Sequence, residues 1–261
     1  MLESFNSFLL DPLYLVGFVA LLLIFYYVLR VYKVNGVPCR SRQRLDGKTV
    51  IITGGNTGIG KEVALDLAKR GGRVVIACRD MRKGATAQKE IKEESGNENV
   101  ILKKLDLASI QSIHEFTNQV LREEPHIHVL ICNAGVMFTP YGRTEDGFEL
   151  QFGINHLGHF LLTNLLLDRI KESAPSRIVV VSSLAQFTGY LDFDDMMWTK
   201  RYNPQLAYCR SKLANVMFAR ELAKRVKGSG VTVCSLHPGT VYTEITRYFF
   251  SGWLIVLKVY F

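Results

Sequence analysis

The chain has 261 residues, of which 48% are hydrophobic and 21% charged, a composition that suits one large folded domain and excludes a disordered or low-complexity protein. Its formal net charge of +8 is basic but moderate. The position of that charge therefore decides between a nucleic acid, a membrane surface and a phosphorylated ligand as its partner. The five cysteines are widely spread and form no C-x-x-C pair, which argues against disulfides and zinc and fits a reducing compartment.

A long apolar run lies near the start of the chain. Residues Pro12–Leu29 carry no charge, and as a helix they would be about 27 Å long, close to the hydrocarbon thickness of a thin bilayer. A cleaved signal peptide would begin with basic residues, whereas the flank before this run carries Glu3 and Asp11. A buried core helix would have a polar face. We therefore predict an uncleaved transmembrane anchor over residues 1–32.

Basic residues follow the apolar run and mark a linker over residues 33–47. By the positive-inside rule they place the body of the protein in the cytosol, and the short span favours the endoplasmic reticulum. We expect a single-pass membrane protein with membrane lipid as a partner. Because part of the positive charge lies beside the membrane, no nucleic-acid partner is expected. These basic residues are Arg30, Lys33, Arg40, Arg42, Arg44 and Lys48.

Strand and helix patterns alternate beyond the linker. Near-continuous apolar strands that alternate with amphipathic helices indicate a parallel sheet covered on both faces. We predict an α/β fold, a doubly wound (Rossmann-type) parallel sheet, over residues 48–247, with a short apolar tail over 248–261. Such a sheet binds its ligands at the carboxyl ends of the strands. The predicted strands lie within residues 48–53, 72–79, 99–107, 128–135, 177–183 and 231–239, and helical patterns cover 60–70 and 110–123.

The first predicted strand ends in a glycine-rich turn that opens a helix. Glycine allows a tight turn and a close backbone approach, and the helix start supplies N–H donors and a positive dipole end. In this strand–turn–helix setting the pattern predicts a dinucleotide site, and the absence of G-K-[ST] excludes a P-loop nucleotide hydrolase. The turn consists of Gly54, Gly55, Asn56, Thr57, Gly58, Ile59 and Gly60.

The end of the second predicted strand bears on the choice between NAD and NADP. An NAD site places an acidic residue there to bind the ribose 2′-hydroxyl. Here Arg79 comes first, Asp80 follows, and Lys83 is close by. Because Arg79 can pair with a 2′-phosphate, we predict NADP (NADPH) as the cofactor, with Asp80 leaving NAD as the alternative.

Seven short motifs follow one another along the chain: 53–60, Asp106-Leu107, Asn133-Ala134-Gly135, Asn155, Ser183, Tyr208 to Lys212, and Pro238-Gly239. In their order and spacing the chain resembles the short-chain dehydrogenase/reductase family from about residue 48 to about residue 243. The finer wording, including NHLGHFLLTNLLL and AYCRSKLANVMFARELAKR, looks like the membrane-bound retinol dehydrogenase branch. Only a short segment follows Gly239, whereas members of this branch continue with a helical segment, a last strand and a closing helix.

Tyr208 and Lys212 carry the expected chemistry. They lie four residues apart on a predicted helix, so both project from one face. A nearby ammonium and the cationic nicotinamide favour tyrosinate and lower the phenol pKa, so Tyr208 can exchange a proton with a carbonyl or alcohol oxygen. A serine at the end of the fifth strand could hydrogen-bond that oxygen. Spacing alone leaves Ser182 and Ser183 open, and the family pattern selects Ser183 as the catalytic and substrate-binding residue.

The resemblance implies several further roles. Lys212 also binds the nicotinamide ribose, Asn155 positions a water that relays protons, and Asp106 contacts adenine through its segment. His156 and His159 have no carboxylate beside them to complete a metal set, so no metal is expected and both are interpreted as packing or polar residues. The implied cofactor-binding residues outside the glycine turn and Arg79 are Asp106, Leu107, Asn133, Ala134, Gly135, Tyr208, Lys212, Pro238, Gly239 and Thr243.

The resemblance implies an NADP(H)-dependent oxidoreductase that interconverts a lipophilic alcohol and its aldehyde or ketone, with retinol and retinal first. One alternative keeps this chemistry but acts on steroids or lipid-derived aldehydes. Another is a C-terminally truncated, non-catalytic NADP-binding membrane protein. A small lipophilic substrate is the expected partner, and a homo-oligomer is left open.

Overall fold

The computed structural model describes residues 12–29, 39, 41–239, 241 and 243–248. By compactness the chain divides into two units, residues 1–42 and 43–261. The ends of the predicted anchor, residues 33–38 and 40 of the linker, and the tail residues 249–261 lie outside the described residues. The same holds for the basic residues Arg30, Lys33 and Arg40.

Helix α1 (Pro12–Leu29) occupies the predicted apolar run in the first unit. The run is apolar on all sides, so the helix has no polar face, and the side chains of Leu15, Val16 and Leu21 are exposed. Counting only the residues that the structure describes, no helix is long and apolar enough to cross a membrane. The transmembrane anchor stays a prediction.

The second unit is built on a six-stranded sheet in the order β3-β2-β1-β4-β5-β6. Every neighbouring pair is parallel, which confirms the predicted doubly wound sheet. The strand order reverses between β1 and β4, the place where such sheets bind their ligands. The strands are β1 (Thr49–Thr53), β2 (Arg73–Cys78), β3 (Val100–Lys104), β4 (Val129–Cys132), β5 (Ser176–Val181) and β6 (Val231–Leu236).

Helices connect the strands and begin at capping side chains. Asp80, Ser109 and Asn203 each accept hydrogen bonds from backbone N–H groups of the helix that follows, satisfying donors that the first turn leaves open. The helices are α2 (Gly58–Lys69), α3 (Met81–Ser95), α4 (Ile110–Glu123), α5 (Leu150–Phe152), α6 (Gly158–Glu172) and α7 (Pro204–Arg225). A π-helical turn (Gly153–Leu157) joins α5 to α6, and 3₁₀ turns cover Leu184–Thr188 and Glu244–Tyr248.

The core lies on both faces of the sheet. Successive strand residues point to opposite faces, so Ile51 belongs to the cluster packed against α4, α6 and α7, and Ile52 to the cluster packed against α2 and α3. Both side chains are fully buried. This double packing holds the carboxyl ends of the strands in fixed positions, and the site described next lies there.

Candidate cofactor and catalytic site

A cleft of about 450 Å³ opens at the carboxyl ends of the strands. It brings together segments that are far apart in the chain, as the switch point of a doubly wound sheet does. Among the predicted site residues, those that line the cleft are Gly54, Asn56, Thr57, Gly58, Ile59, Gly60, Arg79, Asp106, Leu107, Asn133, Ala134, Gly135, Ser183, Tyr208, Lys212, Pro238, Gly239 and Thr243. Gly55 and Asn155 do not line it.

The glycine turn fits a phosphate cradle because its backbone approaches closely. Gly54 has a φ of +67°, a left-handed conformation that favours glycine. A Cβ at Gly60 would lie 2.3 Å from the Gly54 carbonyl oxygen, so no side chain fits where helix α2 begins. Gly55 instead faces the core, where a Cβ would meet Ile52 Cγ2 at 2.9 Å.

The start of helix α2 supplies the donors that a phosphate needs. Thr57 stands at the N-cap position without a side-chain capping hydrogen bond, and the first N–H groups of a helix have no partner within it. These groups lie at the positive end of the helix dipole in a wall of the cleft, which suits an anion. The close-packed glycines and these donors together fit the pyrophosphate of a dinucleotide.

Hydrogen bonds of Asn133 and Thr53 hold the glycine turn in place. Asn133 Nδ2 donates to the Thr53 carbonyl oxygen at 2.9 Å and to that of Gly54 at 3.4 Å. The Thr53 hydroxyl oxygen accepts from the backbone N–H groups of Asn133 at 2.9 Å and Ala134 at 3.0 Å. These bonds tie the end of β1 to the segment after β4, so the glycine turn has a defined position.

The charged residues after β2 have different tasks. The Asp80 carboxylate caps helix α3, accepting from the Arg82 and Lys83 N–H groups at 3.1 Å, and these bonds lower its pKa. Arg79 Nε lies 3.9 Å from Asp106 Oδ2, and its side chain is 67% exposed. Thus the Arg79 guanidinium can turn towards an anion in the cleft, whereas the Asp80 carboxylate is committed to the helix.

Tyr208 and Lys212 lie one turn apart on α7, and both are buried. Lys212 Nζ donates to the Val181 carbonyl oxygen at 3.1 Å and lies 5.6 Å from the centroid of the Tyr208 ring. Ser183 lies beside Tyr208, close enough to lower the pKa of the phenol. The phenol, the serine hydroxyl and the ammonium therefore meet at one edge of the cleft, between the end of β5 and α7.

Burial controls the titration of this pair. Burial raises the pKa of Tyr208, and the nearby Ser183 hydroxyl opposes that rise. The pKa of the phenol is therefore raised, and not lowered as the neighbouring Lys212 had led us to expect, because burial is the largest effect. Burial also lowers the pKa of Lys212 to about 8. The ammonium thus still carries most of its charge at neutral pH.

The neighbouring residues Ser182 and Ser183 differ in their contacts. Ser182 Oγ is buried and donates to the Lys212 carbonyl oxygen at 2.8 Å. Ser183 Oγ accepts from the Ala185 N–H at 3.2 Å, capping the 3₁₀ turn that follows. Of the two, Ser182 holds the backbone of α7, and Ser183 is the one close enough to Tyr208 to affect the pKa of its phenol.

Asn155 stands behind the cleft in the π-helical turn, fully buried. Its amide accepts from the Val136 N–H at 2.8 Å and donates to the Val136 carbonyl at 2.9 Å and to Ser211 Oγ at 3.0 Å. π-helical turns are frequent at functional sites. Here the turn lets one asparagine join the segment after β4 to helix α7.

Three residues that shape the site were not predicted as site residues from the sequence. Thr53 begins the motif over residues 53–60, but nothing in that motif marks its hydroxyl. Phe138 has a φ of 55°, and its ring packs edge-on against Tyr208 at 5.5 Å. Arg210 is 1% exposed and lies between Tyr208 and Lys212 in the sequence. A charged residue within this predicted helix was the one signal that could have indicated its role.

Comparison with known proteins places this chain among related sequences. Residues 48–252 match a family model described as short chain dehydrogenase. The chain is 57% identical over 216 residues to human (Homo sapiens) retinol dehydrogenase 13, a match that covers 82% of this chain and 65% of that protein. It is 58% identical over 210 residues to mouse (Mus musculus) retinol dehydrogenase 11, covering 80% of this chain and 66% of that protein. The chain thus spans just under two thirds of the length of these relatives.

A solved structure supports the same relationship. A short-chain dehydrogenase from Sphingobium yanoikuyae, in complex with NADPH, superposes with a TM-score of 0.64 at 25% sequence identity, covering 77% of this chain and 74% of that one. The family match covers the sheet and the whole cleft. The chain belongs to the short-chain dehydrogenase family, in its retinol dehydrogenase-like branch.

Proposed function

We propose that the protein is an NADP(H)-dependent oxidoreductase that interconverts a lipophilic alcohol and its aldehyde or ketone, with retinol and retinal as the first candidate pair. One observation carries the proposal. Tyr208, Ser183 and the buried Lys212 ammonium line the same cleft as a glycine turn at a helix start. Proton transfer and dinucleotide binding are thereby served in a single cleft.

The residues divide the work at the reacting oxygen. A bound nicotinamide dinucleotide supplies or accepts the hydride. The Tyr208 hydroxyl gives its proton to the carbonyl oxygen in reduction, or takes one from the alcohol in oxidation. Ser183 Oγ donates a hydrogen bond to the same oxygen and orients it. The positive charge of Lys212 favours the tyrosinate that remains after the proton has left.

The preference for NADP follows from the charges beside β2. Arg79 is exposed enough to turn into the cleft, and Lys83 also lines it. The Arg79 guanidinium suits a 2′-phosphate, and Lys83, although paired with Glu244, adds positive charge nearby. The Asp80 carboxylate, which could otherwise bind a ribose hydroxyl, is held by the N–H groups of helix α3. The Sphingobium relative in complex with NADPH is in line with this preference.

The region beside Ser183 supports a lipophilic substrate. The 3₁₀ turn that Ser183 caps and the loop after it expose large apolar side chains, with Phe187 79% and Phe193 81% exposed. Such exposed apolar side chains beside Ser183 suit contact with an apolar substrate. The names of the retinol dehydrogenase relatives agree with a retinoid.

Membrane attachment through α1 belongs to the same proposal. The helix exposes apolar side chains such as Val16, Phe18 and Leu21, which water solvates poorly. Together with the basic residues after it, this supports an anchor in the endoplasmic reticulum with the catalytic unit in the cytosol. Deletion of residues 1–32 should then move the protein from the membrane pellet to the supernatant. Retention in the pellet would contradict an N-terminal anchor.

The deciding experiment measures NADPH oxidation by the full chain in membranes. All-trans retinal, a medium-chain aldehyde and a steroid ketone are compared, with Tyr208→Phe as the inactive variant and Tyr141→Phe, at a partly exposed tyrosine, as the matched control. We expect oxidation with retinal that Tyr208→Phe lowers by at least about a hundredfold and Tyr141→Phe leaves unchanged. A faster steroid or medium-chain aldehyde would change the substrate class. NADPH binding without turnover of any carbonyl would overturn the proposal and support a non-catalytic NADP-binding protein.

A further inference from the structure

We infer that His159 is a positioning residue that couples the cofactor cradle to the catalytic helix, an inference that rests on the proposed function. His159 lies in the first turn of α6 and is 2% exposed. Its Nε2 is 2.8 Å from Thr53 Oγ1, and its Nδ1 is 3.0 Å from the Asn155 carbonyl oxygen. One ring therefore contacts both the residue before the glycine turn and the residue at the centre of the π-helical turn.

The partners determine which ring nitrogen carries the proton. The Asn155 carbonyl oxygen can only accept, so Nδ1 is the N–H donor. Burial lowers the pKa of His159 to about 4, so the ring is neutral at physiological pH and Nε2 carries a lone pair. The Thr53 hydroxyl then donates to Nε2. Its oxygen remains free to accept from the Asn133 and Ala134 N–H groups.

These bonds form one continuous path across the site. On one side, the Thr53 hydroxyl orders the segment after β4, and Asn133 in that segment holds the Gly54 carbonyl. On the other side, His159 fixes the backbone of Asn155, whose amide donates to Ser211 Oγ. Ser211 Oγ in turn donates to the Tyr208 carbonyl oxygen at 2.7 Å.

A residue that only filled space would not need a hydrogen bond at each ring nitrogen. An apolar side chain of similar size would fill the same volume, but it would leave the Thr53 hydroxyl and the Asn155 carbonyl without their His159 partner in a buried setting. Both groups belong to the segments that the proposed function uses, and each nitrogen serves one of them. The two nitrogens should therefore have separable effects, one on cofactor affinity and one on turnover.

Three substitutions separate the two nitrogens. In His159→Asn the side-chain amide nitrogen is bonded to Cγ, as Nδ1 is in histidine. Its N–H can therefore still reach the Asn155 carbonyl oxygen, while the contact with Thr53 is lost. In His159→Gln the amide lies one bond further out, so its oxygen can accept from Thr53 while the Asn155 bond is lost. His159→Leu removes both. His128→Leu is the matched control, because His128 Nδ1 accepts from the Thr49 N–H at the amino end of β1, whereas the cleft lies at the carboxyl ends of the strands.

The experiment measures NADPH dissociation constants by fluorescence, and kcat and KM with the best carbonyl substrate, on the full chain in membranes. We expect His159→Leu to weaken NADPH binding and to lower kcat, each by about five- to tenfold, the size of one buried hydrogen bond. His159→Asn should recover most of kcat but not NADPH affinity, and His159→Gln should recover NADPH affinity but not kcat. His128→Leu should change neither.

Two results would overturn the inference. The first is that His159→Asn and His159→Gln keep wild-type kcat and NADPH affinity and differ from wild type only in Tm. The second is that both lose kcat and affinity to the same extent. If His159→Leu does not fold, the comparison of the Asn and Gln variants still decides. If the wild type turns over no carbonyl, the proposed function fails, and the order of NADPH affinities among the variants tests His159 by itself.

Discussion

Lys83 Nζ lies 3.1 Å from both carboxylate oxygens of Glu244, so an ion pair joins helix α3 to the 3₁₀ turn after β6. Both residues line the cleft. The pair holds the segment after β6 over the end of the cleft where Arg79 lies. It also places a carboxylate beside a lysine that would otherwise be available to a phosphate.

Removing that carboxylate should favour the phosphorylated cofactor. The side chains of Lys83 and Glu244 are 52% and 50% exposed, so the effect is that of a surface pair, up to about 1 kcal/mol. Glu244→Gln should therefore tighten NADPH relative to NADH by about two- to fivefold at low salt, and by less at high salt. Fluorescence titration measures both constants. Glu93→Gln, which removes the partner of Lys89 on the same helix, is the control. Equal changes for NADPH and NADH would contradict the role of charge.

Arg79→Asp should move the cofactor preference from NADP towards NAD. The substitution removes the exposed guanidinium and places a carboxylate where a ribose 2′-hydroxyl can donate to it. A charge-assisted hydrogen bond is worth about 1.5–3 kcal/mol, so the ratio of NADPH to NADH affinity should fall at least about tenfold. Lys89→Asp makes the same change of charge on α3 outside the cleft. An unchanged ratio in Arg79→Asp would mean that another group binds the phosphate.

Lys212→Met should abolish turnover without unfolding the protein. The ammonium is buried and its pKa is lowered to about 8, so keeping it charged at neutral pH costs folding free energy that a methionine does not. We expect the Tm without cofactor to stay the same or rise, while NADPH affinity and kcat fall. Thermal unfolding and NADPH titration of one preparation test both statements. A Tm lowered by more than about 8 °C, about 2 kcal/mol for a domain of this size, would show that the ammonium stabilises the fold.

The same substitution has a pH signature. The folded-state pKa of Lys212, about 8, lies below the ordinary lysine value of 10.5. Between these values the unfolded chain binds the proton that the folded chain has released, so this group makes stability rise with pH. Lys212→Met removes the rise. The difference in unfolding free energy, wild type minus variant, should therefore increase from pH 8 to pH 10.5 by up to about 3 kcal/mol.

Arg210→Lys should loosen the loop beside the substrate region. The Arg210 guanidinium donates to the Tyr190, Asp195 and Met196 carbonyl oxygens and lies 4.2 Å from the centroid of the Trp198 ring. A lysine keeps the charge but loses the planar set of donors and the stacking. We expect faster trypsin cleavage after Lys200 or Arg201 and a KM for retinal raised about tenfold, with NADPH affinity unchanged. Arg220→Lys, at an exposed site on the same helix, should show neither effect.

The sheet could be predicted from the sequence because β1 and β2 are buried on both faces. Runs of three and five consecutive apolar residues, at 50–52 and 74–78, are a strong local signal, and the observed strands lie within the predicted runs or start one residue earlier. The cleft residues could be predicted since their motifs are compact. Each glycine in the turn after β1 and each residue from Tyr208 to Lys212 stands at a fixed spacing.

The remaining features depend on contacts between distant segments. Nothing local shows that the Thr53 hydroxyl meets His159, because the two residues are joined only by the parallel pairing of β1 with β4 and the packing of α6. Asp80 left NAD open as the alternative cofactor, yet its carboxylate caps a helix, a role that needs the helix boundary to be known. The pKa of Tyr208 depends on burial, which composition does not give for a single side chain.

In the turn of α7 from Tyr208 to Lys212, the contacts of each side chain constrain every position. All five side chains are buried, and they face different neighbours: Ser183, Thr188, the loop around Trp198, Asn155 and Val181. A substitution anywhere in this turn disturbs one of these contacts. New substrate ranges should therefore arise through the exposed apolar residues of 184–193, which can change without altering the helix that performs the chemistry.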